Sequence, residues 1–155
     1  MRILNKIEAY FCGTALILTS LIIFVNVVLR YVFHASTSWA EEAVKYLMIW
    51  ITFIGGSICF RKGLHVSIDF FLSYISESAR RIVAAAVLAV CLVFVIFMIY
   101  YGFRLVLFNF STGQVSPALR LPMWIPYLAI PLGFLLMSRH IVAHIISLIK
   151  GGSAA

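Results

Sequence analysis

Four apolar stretches, each long enough to cross a lipid bilayer, restrict the folds open to this sequence more than any other feature. They cover residues 8–32, 39–60, 82–108 and 123–149. A membrane-spanning helix needs about 20 apolar residues, and it satisfies its backbone polar groups within the segment. The chain has 155 residues, of which 64% are hydrophobic and 11% charged, and a globule this small could not bury so much apolar surface. The pattern predicts an all-α integral membrane protein, with four transmembrane helices in one domain over residues 1–155.

The N-terminal stretch resembles a secretory signal, because Arg2 and Lys6 precede an apolar run. A signal core has only about 7–15 apolar residues, whereas this run has the length of a full span. We therefore expect the first segment to be retained as a membrane anchor.

The distribution of basic residues predicts the orientation of the spans. Lys and Arg accumulate on the cytoplasmic side of membrane proteins, which also explains the net charge of +7 without nucleic acid as a partner. One side of the predicted topology carries Arg2, Lys6, Arg61, Lys62, Arg80, Arg81, Arg139 and Lys150, and the other carries Arg30, Lys45, Arg104 and Arg120. Both termini are accordingly expected in the cytoplasm.

The segment between the second and third spans has a different composition. Within residues 65–81, aromatic residues such as Phe70, Phe71 and Tyr74 alternate with polar ones such as Asp69 and Glu77. This segment is too polar to cross lipid, and its spacing is typical of a short amphipathic helix at the headgroup level. We expect it to lie along the cytoplasmic surface.

The spans contain few groups that could perform chemistry. Glu8, Glu41 and Glu42 fall near predicted helix starts, where they are expected to reach water. Charge buried in lipid is costly and marks functional sites, so the lack of a carboxylate at mid-span argues against coupling of transport to an ion within this chain. His140 and His144 share a helix face, but no carboxylate or cysteine is placed to join them as metal ligands. We therefore expect solvated histidines and no catalytic, cofactor or metal site.

Two local patterns point to contacts between helices. Ser38 and Glu41 have capping-box spacing at the start of the second span, and Gly55 and Gly56 provide small residues that allow close helix approach in lipid. Arg30 ends the first span close to the start of the second. It is expected to pair with Glu41, with Glu42 or with an acid of a partner chain, or else to reach lipid phosphate.

Six short motifs, in this order and spacing, resemble the small membrane subunit, or Q subunit, of tripartite ATP-independent periplasmic (TRAP) transporters. They are NVVLRYVF at 26–33, SWAEE at 38–42, FIGG at 53–56, RKGLHVSID at 61–69, SPALRLPMW at 116–124 and YLAIPLG at 127–133. The resemblance covers nearly the whole chain. No single motif is specific, but the ordered set is.

The resemblance implies a helper subunit of the bacterial inner membrane that supports a large permease subunit, the M subunit. It also implies a periplasmic binding protein that delivers a carboxylate, such as a C4-dicarboxylate, another organic acid or sialic acid, for sodium-coupled uptake. No cofactor is implied. The motif residues that become candidates for structural or subunit contacts are Arg30, Trp39, Glu41, Glu42, Trp50, Gly55, Gly56, His65, Asp69, Pro122, Trp124, Pro131 and Gly133.

Two other classes of protein remain as alternatives at this point. An independent small exporter of about four spans would need an essential carboxylate within its first helix. A membrane anchor of a redox enzyme would need paired histidines at matching depth to hold haem. Neither feature is evident in the sequence.

Overall fold

Four long helices account for most of the computed structural model, which describes residues 2–35, 37–72 and 77–149. They are α1 (Arg2–Val32), α2 (Ser38–Leu72), α3 (Glu77–Thr112) and α4 (Trp124–Ile149). Each contains a segment long and apolar enough to cross a membrane, and these segments are Ile3–Val32, Ser38–Arg61, Ala86–Thr112 and Trp124–Ile146. The predicted all-α fold with four spanning helices is confirmed.

The helices are arranged in the spatial order α1, α2, α4, α3. α2 packs against both α1 and α4, and α3 packs against α4. The two inner helices therefore have helical neighbours on two sides, whereas α1 and α3 are the outer helices. This arrangement leaves wide apolar surfaces on the outer helices.

The core lies between the inner helices and α3. Leu88 and Val95 of α3 and Phe134 and Ile141 of α4 are the buried centre of one hydrophobic cluster. Its partly buried members come from three helices and include Phe53, Phe60, Leu92, Ile130 and Met137. The inner helix α4 thus holds α2 and α3 together through ordinary apolar packing.

A glycine of α3 and a proline of α4 face each other at a close contact between the two helices. Pro131 lies inside α4 and is fully buried. A Cβ atom added to Gly102 would lie 3.2 Å from the Pro131 Cδ and 3.3 Å from its nitrogen. Since proline has no N–H and its ring is bulky, the small residue on α3 provides the space that the ring needs.

Large apolar side chains are exposed along the outer helices. On α1 they include Tyr10 at 74% and Ile17 at 73%, and on α3 they include Val90 at 70% and Phe94 at 55%. Soluble monomers rarely expose contiguous apolar surface of this extent. Lipid tails and apolar helices of another chain are the environments that suit these surfaces.

Several helix ends lie beyond the predicted span boundaries. α3 continues to Thr112, four residues beyond the predicted span 82–108. The polar side chains there bond within the helix: Asn109 Nδ2 donates to the Leu105 carbonyl at 2.8 Å, and the Ser111 and Thr112 hydroxyls donate to the Phe108 carbonyl at 2.9 and 3.1 Å. Short polar side chains can therefore extend a helix by satisfying themselves on the preceding turn.

α2 continues to Leu72, so the first part of the predicted amphipathic segment 65–81 belongs to the same helix. Residues 73–76, and the side chains of 62–82, lie outside the described residues. The placement of this segment along the membrane surface remains a prediction.

Candidate functional site

The carboxylate of Glu42 holds the loop that joins α3 to α4. Its Oε2 atom accepts hydrogen bonds from the Leu119 backbone N–H at 2.7 Å, the Ser116 hydroxyl at 3.0 Å and the Ala118 N–H at 3.1 Å. Hydrogen bonds to an ionised acceptor are the stronger class. A side chain in the first two turns of α2 thus fixes a loop more than 70 residues away in sequence.

The loop itself is folded as a small antiparallel turn. Val115 and Pro122 form an isolated bridge. The Ser116 N–H donates to the Leu121 carbonyl at 2.8 Å, and the Met123 N–H donates to the Gln114 carbonyl at 2.8 Å. Pro122, a candidate from the family motif, therefore closes the turn. We call residues 113–123 the Glu42-bound loop.

The loop between α1 and α2 is held in a similar way by a side chain of α1. Asn26 Oδ1 accepts hydrogen bonds from the Thr37 hydroxyl at 3.0 Å and from the Thr37 N–H at 3.2 Å. Thr37 immediately precedes α2, which begins at Ser38, one residue before the predicted span 39–60. Asn26, a polar residue of the first apolar stretch, therefore fixes the start of the second helix.

The structure does not support the predicted ion pair of Arg30 within the chain. Glu42 is occupied by the loop, and Arg30 lies over the ring of its neighbour Tyr31, with 5.9 Å from the guanidinium carbon to the ring centroid. Among the described residues neither Glu41 nor Glu42 pairs with Arg30, so that prediction was wrong. Both Arg30 and Glu41 are exposed, and a partner-chain acid for Arg30 remains a prediction.

At the opposite end of the helices, Glu8 of α1 pairs with Arg139 of α4. The Arg139 Nη2 atom lies 3.0 Å from Glu8 Oε1 and 3.0 Å from Asn5 Oδ1, and the Ser57 hydroxyl lies 3.5 Å from Glu8 Oε2. The Glu8 side chain is 2% exposed and that of Arg139 is 24% exposed. This ion pair ties the outer helix α1 directly to the inner helix α4.

The expectation that Glu8 reaches water was therefore wrong. Its helix starts earlier than the apolar stretch suggested, so that Glu8 faces α2 and α4 instead of the solvent. His140 also departs from the solvated state that was expected. It is half-buried, and its Nε2 lies 3.1 Å from Arg139 Nη2. Glu8 and Arg139 are more than 130 positions apart in the chain, and no local sequence pattern indicated that they would pair.

The candidate glycines lie at contacts between helices of this chain. A Cβ atom on Gly133 of α4 would lie 2.7 Å from the Phe53 Cβ and carbonyl oxygen of α2. One on Gly56 would lie 2.6 Å from the end of the Met137 side chain, and one on Gly55 would lie 3.8 Å from the Cys12 sulfur. Small residues allow this closeness of backbones.

The candidate tryptophans occupy three different environments. Trp50 packs edge-on against Phe11 of α1, with ring centroids 6.2 Å apart, and Trp124 packs edge-on against Phe110 of α3 at 6.0 Å. Trp39 is 49% exposed and lines a shallow apolar groove between α1 and α2, together with Asn26. The side chains of His65 and Asp69 lie outside the described part of the structure.

Within the described residues, no group of three or more His, Cys, Asp or Glu side chains is placed to hold a metal ion. The arrangement consists of polar contacts that fasten helix ends and loops in a largely apolar, four-span protein. Such a fold defines a multi-pass membrane protein whose polar side chains hold its helix ends and loops in place.

Comparison with known proteins identifies the class further. The sequence model of the family described as "Tripartite ATP-independent periplasmic transporters, DctQ component" matches residues 19–151. The chain belongs to this family, and the resemblance drawn from the motifs is confirmed. It is thus a small permease subunit of a TRAP transporter.

Individual relatives agree with the family match. The chain is 30% identical over 149 residues to a protein of Haemophilus influenzae assigned as a TRAP transporter small permease protein, covering 94% of this chain and 89% of that one. It is 31% identical over 160 residues to the sialic acid TRAP transporter permease protein SiaT of H. influenzae, covering 99% of this chain and 25% of SiaT. The C4-dicarboxylate small permease protein DctQ of Rhodobacter capsulatus is 34% identical over 99 residues, which are 64% of this chain and 44% of DctQ.

Proposed function

We propose that this chain is a helper and scaffold subunit that supports a large permease subunit in sodium-coupled uptake of a carboxylate. The family match over residues 19–151 carries the proposal. SiaT supports the partner, because the matching stretch makes up only a quarter of that longer permease protein. The substrate class would be a C4-dicarboxylate, another organic acid or sialic acid, delivered by a periplasmic binding protein.

The distribution of apolar and polar side chains supports a scaffold role. The outer helices α1 and α3 present large exposed apolar side chains, such as Ile17 and Phe97, to lipid or to another membrane subunit. The buried pair of Glu8 and Arg139 is used to hold α1 against α4. The proposal therefore assigns the substrate and sodium sites to the large subunit, and gives this chain no enzymatic step. The independent exporter and the redox anchor gain no support from the comparisons.

The location follows from the same proposal. Four spans in a transporter family make this a multi-pass membrane protein. The bacterial inner membrane, with both termini in the cytoplasm, agrees with the excess of Lys and Arg on the side of the chain ends. The Glu42-bound loop would then face the periplasm. The candidate motif residues that are exposed, such as Arg30, Trp39 and Glu41, are available for contacts with other subunits.

Reconstitution tests the proposal. Three kinds of proteoliposome would contain this chain alone, a large TRAP permease subunit of the same organism alone, or both together. Each would receive the soluble binding protein loaded with radiolabelled carboxylate under a sodium gradient. We expect uptake only when both membrane subunits are present, and loss of uptake when the gradient is collapsed. Uptake by this chain alone would contradict the helper role, and full uptake by the large subunit alone would show that the chain is dispensable.

A further inference from the structure

Arg120 has a backbone conformation that its side chain does not favour. Its φ angle is +55°, in the left-handed region that glycine adopts at no steric cost. A residue with a Cβ atom is strained there, and such strain persists only where the surroundings determine the conformation fully. It is one of two residues other than glycine with positive φ in the described part of the chain, and the second, His34, is a type found more often in this region.

The neighbours of Arg120 show how the strain is held. On one side the Leu119 N–H is bound by the Glu42 carboxylate at 2.7 Å. On the other side the Leu121 N–H donates to the Ser116 hydroxyl at 3.2 Å, and the Leu121 carbonyl accepts from the Ser116 N–H at 2.8 Å. The backbone on both sides of Arg120 is therefore fixed. Glu42 is a positioning residue for this short segment.

The guanidinium of Arg120 does not help to hold the described part of its own chain together. Arg120 is exposed, and it makes no hydrogen bond, ion pair or ring contact with any described residue. The same end of the helices carries Arg30, Lys45 and Arg104, all exposed. The acids of this end among the described residues are Glu41 and Glu42, and Glu42 keeps its negative charge while its three loop donors hold it. Four cationic side chains therefore stand against two carboxylates. This end of the molecule is thus positively charged, with Arg120 on a rigid loop beyond the membrane spans.

We propose that Arg120 is a docking contact for an acidic surface of the soluble substrate-binding protein, and that Glu42 positions it through the loop. The inference rests on the proposed function and names the surface of this chain that takes the soluble partner. A loop whose backbone is already fixed loses little backbone freedom on binding, and charge complementarity accelerates association. A loop outside the spans Ala86–Thr112 and Trp124–Ile146 is also accessible to a soluble protein.

Binding of the soluble protein to the complex of this chain and its large subunit, held in nanodiscs of zwitterionic lipid, tests the proposal. The probe is a TRAP substrate-binding protein of the same organism, and its affinity is measured between 50 and 300 mM salt. Arg120→Gln removes the charge, Arg120→Lys keeps it, and Arg120→Gly removes it while relieving the backbone strain. Arg104→Gln is the matched control, because it removes one exposed arginine of the same end from α3 instead of the loop.

We expect Arg120→Gln and Arg120→Gly to lower the affinity about tenfold at low salt and to weaken its salt dependence, with a smaller loss for Arg120→Lys and for Arg104→Gln. Arg120→Gly should also raise the melting temperature of the complex, which separates strain from recognition. Unchanged affinity in Arg120→Gln, or an equal loss in Arg104→Gln, would overturn the proposal. An effect that occurs only in nanodiscs of anionic lipid would assign Arg120 to lipid phosphate and overturn it too. Failure of the two membrane subunits to assemble would instead contradict the proposed function.

Discussion

Two carboxylates among the described side chains are buried or partly buried, and they have opposite kinds of partner. Glu8 binds a cationic side chain, Arg139, whereas Glu42 binds neutral donors, two of them backbone N–H groups. The first arrangement joins two helices, and the second arrangement joins a helix to a loop. Each carboxylate accepts hydrogen bonds from several groups. These bonds offset the cost of removing its charge from water beside lipid-facing helices.

Replacing Glu8 by Ala should destabilise the protein, because it leaves the Arg139 guanidinium half-buried without its carboxylate. Breaking a buried ion pair from one side costs about 3–5 kcal/mol. Arg139 keeps some exposure and the Asn5 contact, so we expect about 2–3 kcal/mol by reversible unfolding in sodium dodecyl sulfate. Lys6→Ala, on an exposed position of the same helix, is the control. Equal unfolding curves for the two variants would show that the pair contributes no stability.

Replacing Glu42 by Gln should loosen the Glu42-bound loop without unfolding the helices. The amide oxygen still accepts hydrogen bonds, but it lacks the charge that strengthens all three of them. We expect amide hydrogen exchange at Ala118 and Leu119 to accelerate several-fold, while exchange in the α4 core near Ile141 stays slow. Glu41→Gln, at the exposed neighbouring acid, should leave the loop unchanged. Loop exchange that is equally fast in both variants would contradict the role of Glu42.

At the scale of the helices, close approach depends on which atoms face each glycine. Gly133 faces the backbone of Phe53, which cannot move without shifting α2, whereas Gly56 faces the flexible end of Met137. Gly13 on α1 is exposed, and an added Cβ there meets nothing within 4 Å. An alanine at these three positions would therefore meet a fixed backbone at Gly133, a movable side chain at Gly56 and open space at Gly13.

We expect Gly133→Ala to destabilise the protein by about 1–3 kcal/mol, as overpacking of a tight contact does. Gly56→Ala should cost less, because the Met137 side chain can rotate away. Gly13→Ala should be neutral or stabilising by up to about 1 kcal/mol, since alanine favours helix over glycine. Reversible unfolding in sodium dodecyl sulfate measures the free energy of unfolding of each variant and so the order of the three effects. A larger loss at Gly13 than at Gly133 would show that the α2–α4 contact is looser than the structure has it.

Sequence reasoning succeeded for the helices and failed for their polar contacts, for a physical reason. The number and approximate extent of the spans follow from apolar length, which depends on neighbouring residues alone. The partner of Glu8 depends on how α1 and α4 pack, and that of Glu42 on how the α3–α4 loop folds back. These pairings are properties of the tertiary arrangement. The end of α3 was misplaced because Asn109 and Thr112 bond within their helix instead of ending it.

At the scale of the whole molecule, the four helices separate two polar ends. One end has the Glu42-bound loop and the Asn26–Thr37 contact, and the other has the Glu8–Arg139 pair with Ser57. The proposed scaffold role would use ends fixed in this way, because the large subunit would contact the chain from the bilayer and the binding protein would contact it from solution. Which end faces the cytoplasm is predicted by the basic residues.

Cysteine accessibility tests the orientation directly. In a variant lacking Cys12, Cys59 and Cys91, single cysteines would replace Gln114 of the Glu42-bound loop or Lys6 near the N-terminus, both exposed positions. We expect a membrane-impermeant maleimide to label the Gln114→Cys variant in intact spheroplasts, and to label the Lys6→Cys variant only after permeabilisation. An Ala35→Cys variant, in the loop between α1 and α2, should behave like Gln114→Cys, because an odd number of spans separates each of these loops from the N-terminus. The reverse pattern would place the Glu42-bound loop in the cytoplasm, where Arg120 could not meet a periplasmic protein.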